Sequence, residues 1–471
     1  MLFSSLEFLL LFLPVTAVVY FFIPKGAKNI WLLITSLFFY AWGEPRFVLI
    51  MIASILFNYF AARLVEKSEK GGRKRKLFLV MAIVFDLSLL FFFKYLTFAA
   101  EILHDLFSGF PVVRIALPIG ISFFTFQAMS YVIDVYRGIP AQRNICSLGL
   151  YISFFPQLIA GPIVRYTTVM EQIQERTVTR DDISEGIKRF IIGFNKKLLL
   201  ANILAEAADA AYASPSLSVC MGWLGLVCYT LQIYFDFSAY SDMAIGLGRM
   251  FGFRFLENFN YPLMSKSVTE FWRRWHISLG TWFRDYVYIP LGGSRSKSAA
   301  RRIFNLAVVW LLTGIWHGAN FTFLFWGMLH GAVIIIEKLT GMVGRIERSR
   351  CWSVVWRIVT LLTVMLGWMI FRADDLPMAW NYFRTISGIG GAAFFDAQFV
   401  FYLREYAVIL LVAILCSTPF LRALGERISA RGERAAVLLT SLSWCARLVL
   451  FVVSVSFLIM NSYNPFIYFN F

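Results

Sequence analysis

Apolar residues in this chain fall in long runs separated by short polar breaks. The first run, Leu6 to Ile23, has no basic leader and no small-residue cleavage site before or after it. It reads as a retained membrane span, not a signal peptide. PKGAKN leads to a second run, Ile30 to Trp42, and GEPR turns the chain into a third, Phe47 to Val65. Residues 66–76, EKSEKGGRKRK, hold six basic and two acidic side chains, a local charge of +4. Basic loops stay on the cytoplasmic side, so this loop is expected there, with the N-terminus outside. The next span, Leu77 to Phe98, carries Asp86 and Lys94, which are expected to face protein or water. His104 follows in a short polar connection and reads as a loop residue.

The pattern then becomes less regular. Leu117 to Gly138 contains Pro118, Gly120, Gln127 and Asp134, and is too broken and polar for a lipid-facing helix. FFPQLIAGPIVRY, 154–166, has two Pro and Gly interruptions and reads as re-entrant or broken. After a polar stretch at 167–182, a helix from Ile183 sets Ile187, Phe190, Ile191, Phe194 and Leu198 against Lys188, Arg189, Lys196 and Lys197. That pattern suits a helix at the interface, or one entering the bundle from it. Cys220 to Gly248 is apolar but encloses Asp236 and Asp242, each expected to orient a basic partner. Runs at Val354–Phe371, Val408–Phe420 and Leu438–Met460 complete the series, with a basic loop at 422–434. The fold class is an all-α integral membrane protein. It is expected to be a bundle of about 11–13 membrane segments, some broken or re-entrant. The whole of 1–471 reads as one domain, with a core near 115–340.

Composition agrees with this pattern. Hydrophobic residues make up 59% of the chain and the mean hydropathy is +0.69, more apolar surface than a soluble protein of this length can bury. The net charge of +16 fits cytoplasmic loops and lipid headgroups, and no RNA-binding motif points to nucleic acid. The six cysteines form no C-x-x-C pair and read as apolar filler, without a metal site.

Three of the four histidines, His276, His317 and His330, lie between Phe271 and Gly331 among Trp, Phe and Leu. Polar groups at membrane depth are costly, and imidazole moves protons near neutral pH. A helix rising from the basic loop of Arg295, Lys297, Arg301 and Arg302 would carry His317 roughly 22 Å into a core about 30 Å thick. His330 falls on the returning helix, with Gly318 and Asn320 allowing the turn between the two.

These stretches resemble the membrane-bound O-acyltransferase family, and within it the polysaccharide and peptidoglycan O-acetylating branch. The resemblance is carried by PIGISFFTFQ (118–127), AGPIVRY (160–166), QIYFDFSAYSDMAIG (232–246), ENFNYPLMSKSVTEFWRRWHISLGTWFRDYVYIPLGG (257–293), WHGANFTFLFWGMLHG (316–331) and the terminal NPFIYFNF. It implies many helices around a central funnel and His317 as the catalytic residue, with His276 at the second polar position. The chemistry requires a base to deprotonate a hydroxyl as it attacks a thioester. His276 would orient that base, donate to the oxyanion or hold the acyl group. His330, Asn320, Trp316, Asp236 and Asp242 are expected to support the site. Arg273, Arg274, Arg284 and Arg302 are candidates for a phosphate-bearing donor such as acetyl-CoA. No resident cofactor or metal is expected. The resemblance also implies a polysaccharide acceptor, an extracytoplasmic acetyltransferase partner and a place in the bacterial cytoplasmic membrane. D-alanyl transfer to teichoic acid, a covalent acyl relay and a transporter or flippase remain as alternatives.

Overall fold

The computed structural model describes every residue except 297, 349, 461–462 and 468–471, together with the side chains at 347, 348 and 350 left aside. Lys297 of the basic loop and the last four residues of NPFIYFNF therefore lie outside the described residues. Everything described is helix, turn or irregular chain, with no strand among those residues. Eight of the helices are long and apolar enough to cross a bilayer: Val48–Lys67, Arg73–Leu106, Val219–Met250, Ala299–His317, Phe321–Leu339, Cys351–Arg372, Ala397–Cys416 and Glu433–Met460. Shorter or less apolar helices, such as Phe8–Phe22, Lys25–Gly43 and Ile121–Arg137, supply the other segments read from the sequence.

How much of each span is buried follows from what it carries. Val219–Met250 holds the QIYFDFSAYSD run, and 83% of its apolar window is buried inside the protein. Glu433–Met460 is apolar all round, and only 6% of its window is buried. The first is an interior helix and the second is exposed along most of its length, in keeping with their polarity.

The chain divides into two compact units: Met1–Phe190 with Tyr240–Glu257, and Ile191–Ala239 with Asn258–Phe471. In the first unit, Phe3, Phe8, Phe39 and Phe155 form an aromatic core, with Phe3 stacked on Tyr240 at 4.4 Å. Asp86 is fully buried, and its carboxylate accepts from Asn58 Nδ2 at 2.9 Å. Lys94 lies within a π-turn, and its ammonium reaches Ser122 Oγ at 3.4 Å. Both charged groups thus face protein. Ile121–Arg137 is buried along nearly its whole length, and Phe155–Leu158 is a one-turn helix followed by buried irregular chain. Pro156 sits in the first turn of that helix, where a missing N–H costs nothing, and Gly161 lies in the irregular chain after it. His104 falls in the last turn of Leu96–Leu106, where its Nδ1 lies 2.8 Å from the Phe110 carbonyl.

The second unit holds the remaining helices around a core that includes Phe235, Phe237, Trp275, Trp326, Trp368 and Phe371. Residues 422–429, within the stretch 422–434 read from sequence as a basic loop, belong to the helix Phe420–Ser429. Leu421, Leu424 and Ile428 recur at helical spacing alongside Arg422 and Arg427, which gives it an apolar stripe. Ala299–His317 and Phe321–Leu339 cross closely. A Cβ on Gly314 would stand 2.6 Å from the Phe323 carbonyl oxygen, and one on Gly327 would stand 2.6 Å from that of Trp310. Only glycine allows backbones that near.

Candidate functional site

The site begins with the turn that ends Ala299–His317. Gly318 stops the helix, and Asn320 starts the next by capping Phe321–Leu339. Its side chain accepts from Thr322 N at 3.0 Å and donates to the Asp374 carbonyl at 2.7 Å. Asn320 therefore fixes the return that sets His317 and His330 on neighbouring helices.

His317 is buried in rings. Trp316, Trp326 and Phe371 stand edge-on to it at 4.9, 4.9 and 5.2 Å between centroids. His330 is fully buried and meets Trp272, Trp326 and Trp310 at 5.2, 5.3 and 6.0 Å. Trp326 thus touches both imidazoles.

His276 enters from a different element. Ser267 caps the helix Val268–Arg274, and the Glu337 carboxylate accepts from Val268 N and Thr269 N at 2.7 and 2.8 Å. This ties the FWRRWH segment to the helix that bears His330. His276 then takes a left-handed backbone, φ 46°, which costs a non-glycine residue roughly 1–3 kcal/mol. Asn258 holds the turn: its carbonyl accepts from Ile277 N at 3.0 Å, and its Oδ1 accepts from Ser278 N at 3.1 Å and Ser278 Oγ at 2.9 Å. The His276 ring lies 4.6 Å from Phe237 and 5.9 Å from Trp316. Its Nε2 is buried with no hydrogen-bond partner among the described residues. Ring contacts therefore run from His276 through Trp316 to His317, and on through Trp326 to His330.

The carboxylates lie apart from this chain of rings. Asp236 pairs with Lys197 at 2.7 Å in the second unit, and Asp242 pairs with Arg189 at 2.7 Å in the first. Each carboxylate is ion-paired to a basic side chain, a Lys in the case of Asp236 and an Arg in the case of Asp242. Of the four arginines, Arg274 is bound to Glu270 at 2.8 Å and Arg284 to Asp285 at 2.7 Å. Arg273 and Arg302 are exposed, and Arg302 donates to the Ser296 carbonyl at 2.9 Å.

Sequence reasoning did not single out Asn258, Phe237, Phe371, Trp272 or Trp368 as parts of the site. Asn258 lay within a quoted block, but only the fold shows what its amide holds. Among the described residues no cluster of His, Cys, Asp or Glu is arranged to hold a metal. All six cysteines are free.

The fold is that of a multi-span helical membrane protein with three imidazoles buried in its interior. The sequence matches the family described as MBOAT, membrane-bound O-acyltransferase, over residues 135–371, and the chain belongs to that family. It is 44% identical to the "Probable alginate O-acetylase AlgI" of Pseudomonas aeruginosa, over 83% of this chain and 75% of that one. It is 39% identical to the protein of the same name from Azotobacter vinelandii over the full length of both. It is also 34% identical to the "Peptidoglycan O-acetyltransferase" of Helicobacter pylori, over 83% of this chain and 81% of that one. The protein is an O-acyltransferase that crosses the bacterial cytoplasmic membrane several times.

Proposed function

We propose that this enzyme takes an acetyl group from a cytosolic thioester, of which acetyl-CoA is the type, and delivers it to a hydroxyl outside the cytoplasmic membrane. The acceptor is a polysaccharide such as alginate, reached directly or through an extracytoplasmic acetyltransferase partner. The whole chain acts as one catalytic domain, with its core near 115–340. The observation that carries this reading is the buried His276–Trp316–His317–Trp326–His330 ring contacts within the matched segment. The named activities of the relatives support the choice of acetyl and of a polysaccharide.

His317 is the general base. It takes the proton of the attacking hydroxyl as that oxygen adds to the thioester carbonyl carbon. The tetrahedral intermediate then collapses, the C–S bond breaks, and the thiolate receives the proton back from the imidazolium. His276 supports the oxyanion or the acyl group, while Trp316 and Asn320 hold the ring and the turn. His330 packs behind them. Arg273, Arg274, Arg284 and Arg302 bind phosphate of the donor, and the carboxylates of Asp236 and Asp242 support the helices. His317→Ala is expected to lower acyl transfer by about 10²–10⁴-fold or more while the protein still inserts, because a positioned base supplies that factor. His276→Ala is expected to be severely impaired, His330→Ala milder and His104→Ala near normal. Polymer O-acetyl content at matched expression measures this, and full activity in His317→Ala removes the role.

A further inference from the structure

The indole N–H groups of Trp272, Trp326 and Trp368, and both ring nitrogens of His330, are buried with no hydrogen-bond partner among the described residues. Roughly nine in ten buried polar groups find a partner, so five orphans together call for an explanation. They do lie together. Trp326 meets Trp272 at 5.4 Å, His330 at 5.3 Å and Trp368 at 5.7 Å. A Cβ built on Gly367 would stand 2.6 Å from His330 Nε2 and 3.5 Å from Trp326 Cδ1, the carbon bonded to the indole nitrogen. His330 Nε2 thus faces Gly367 on Arg350–Arg372, with the pyrrole edge of Trp326 beside it. The other edge of the relation is catalytic: Trp326 stands edge-on to His317 at 4.9 Å.

The donor set selects the ligand. An indole N–H only donates, so its partner must present an acceptor oxygen. The side chains that share the core with these indoles are apolar, Trp275, Val364 and Phe371 among them, and Gly367 closes on His330 and Trp326. A phosphate or carboxylate would be buried there without a counter-charge, which is strongly unfavourable. A neutral carbonyl oxygen fits both conditions.

We propose that the indole N–H groups of Trp326 and Trp368, with Trp272 beside them, bind a neutral carbonyl oxygen of the thioester donor. This rests on the acyl-transfer reading above. Two carbonyls of such a donor share the chemistry: the acyl carbonyl and the amide carbonyls of the carrier arm. In the first case the step is direct. The hydroxyl oxygen bonds to the acyl carbon, its proton passes to His317, and the carbonyl π pair moves onto the oxygen held by the indoles. When the C–S bond breaks that pair returns to the carbonyl, and the thiolate takes the proton from His317.

The test is isotope-edited infrared spectroscopy on the full-length His317→Ala protein loaded with acetyl-CoA. One arm carries 13C at the acetyl carbonyl and the other at the pantetheine amides. Hydrogen bonding lowers a carbonyl stretch, so adding Trp326→Phe or Trp368→Phe is expected to raise the frequency of the bound band in one arm. The arm that responds identifies the carbonyl. Trp310→Phe, in the same ring cluster but without an orphan N–H, is expected to leave both bands in place. With His317 intact, Trp326→Phe is expected to lower kcat by about 10²-fold with little change in donor KM, the loss typical of one oxyanion donor. Bands that stay in place in both arms overturn the proposal, and a fall in activity alongside them marks Trp326 as packing only. A wild-type enzyme that acetylates with unmoved bands removes this proposal and leaves the acyl-transfer reading standing. Absence of any bound thioester band removes both.

Discussion

Lys197 and Asp236 form an ion pair at 2.7 Å with each side chain only 2% exposed. The rest of its hydrogen bonding comes from the far end of the chain. Asp236 Oδ2 accepts from Ile467 N at 2.9 Å, and Lys197 donates to the Pro465 carbonyl. Asn202 Nδ2 donates to Asn464 Oδ1 at 3.1 Å nearby. A buried pair is costly to break and often nearly neutral to replace whole.

Lys197→Met is therefore expected to destabilise the protein by about 3–5 kcal/mol, because it leaves the Asp236 carboxylate buried without its counter-charge. Lys197→Met with Asp236→Leu is expected to recover most of that loss. Thermal unfolding in detergent, followed by fluorescence-detected size exclusion, reads both. Additive losses in the double variant would show that the two side chains act independently.

The sequence made the class and the helices legible because lipid imposes a strong rule: long apolar runs, with charges only where protein covers them. Asp86, Lys94, Asp236 and Asp242 all obeyed it. The burial of the segment around Gln127, which forms an unbroken helix, and the irregular chain after Pro156 were legible for the same reason. The helix Phe420–Ser429 was missed because a short amphipathic stripe rich in Arg looks like a loop when it is read for spans alone. Within the site, the three imidazoles were visible as rare polar residues. Their order along a line of indoles was not, because Trp reads as apolar filler until the fold shows which edge each ring presents. The left-handed backbone at His276 was equally hidden, since it depends on Asn258, 18 positions upstream.

The close crossing of Ala299–His317 and Phe321–Leu339 predicts a steep response at Gly314. A methyl group there meets the backbone oxygen of Phe323 at 2.6 Å, and backbone cannot swing aside as a side chain can. Gly314→Ala is expected to cost about 1–3 kcal/mol and to reduce acyl transfer by displacing His317. Gly344→Ala, where a Cβ meets nothing within 4 Å, is the matched control. Equal melting temperatures for the two variants would contradict the crossing.

Orientation is tested by labelling. Lys70→Cys and Arg301→Cys, each in a chain with the six native cysteines replaced, are expected to resist a membrane-impermeant maleimide in intact cells and to react after permeabilisation. Both belong to basic loops that the positive-inside rule holds in the cytoplasm. Efficient labelling of either in intact cells would invert the orientation and the side from which His317 is reached.

The four arginines proposed to bind the donor differ in their contacts. Arg274 and Arg284 already satisfy their guanidinium groups on Glu270 and Asp285, one residue or one turn away. Arg273 and Arg302 are exposed, and Arg302 donates to the Ser296 carbonyl at 2.9 Å. We propose that a phosphate-bearing donor arriving from the cytoplasm displaces less at the exposed Arg273 than at Arg274 or Arg284, each of which holds an ion pair, with Arg302 tested beside it. A hydrogen bond to a charged group contributes about 1.5–3 kcal/mol, so Arg273→Ala and Arg302→Ala are each expected to raise the donor KM roughly tenfold or more. Arg274→Ala and Arg284→Ala are expected to change it less, because each loss is partly offset by no longer breaking an ion pair. The effect of the first pair should shrink as salt rises, since screening weakens exposed phosphate contacts in the parent enzyme as well. Acetyl-CoA titrations of the four variants at low and high ionic strength decide it. Equal KM shifts across all four, or none at Arg273 and Arg302, would move the phosphate contact to another part of the cytoplasmic face.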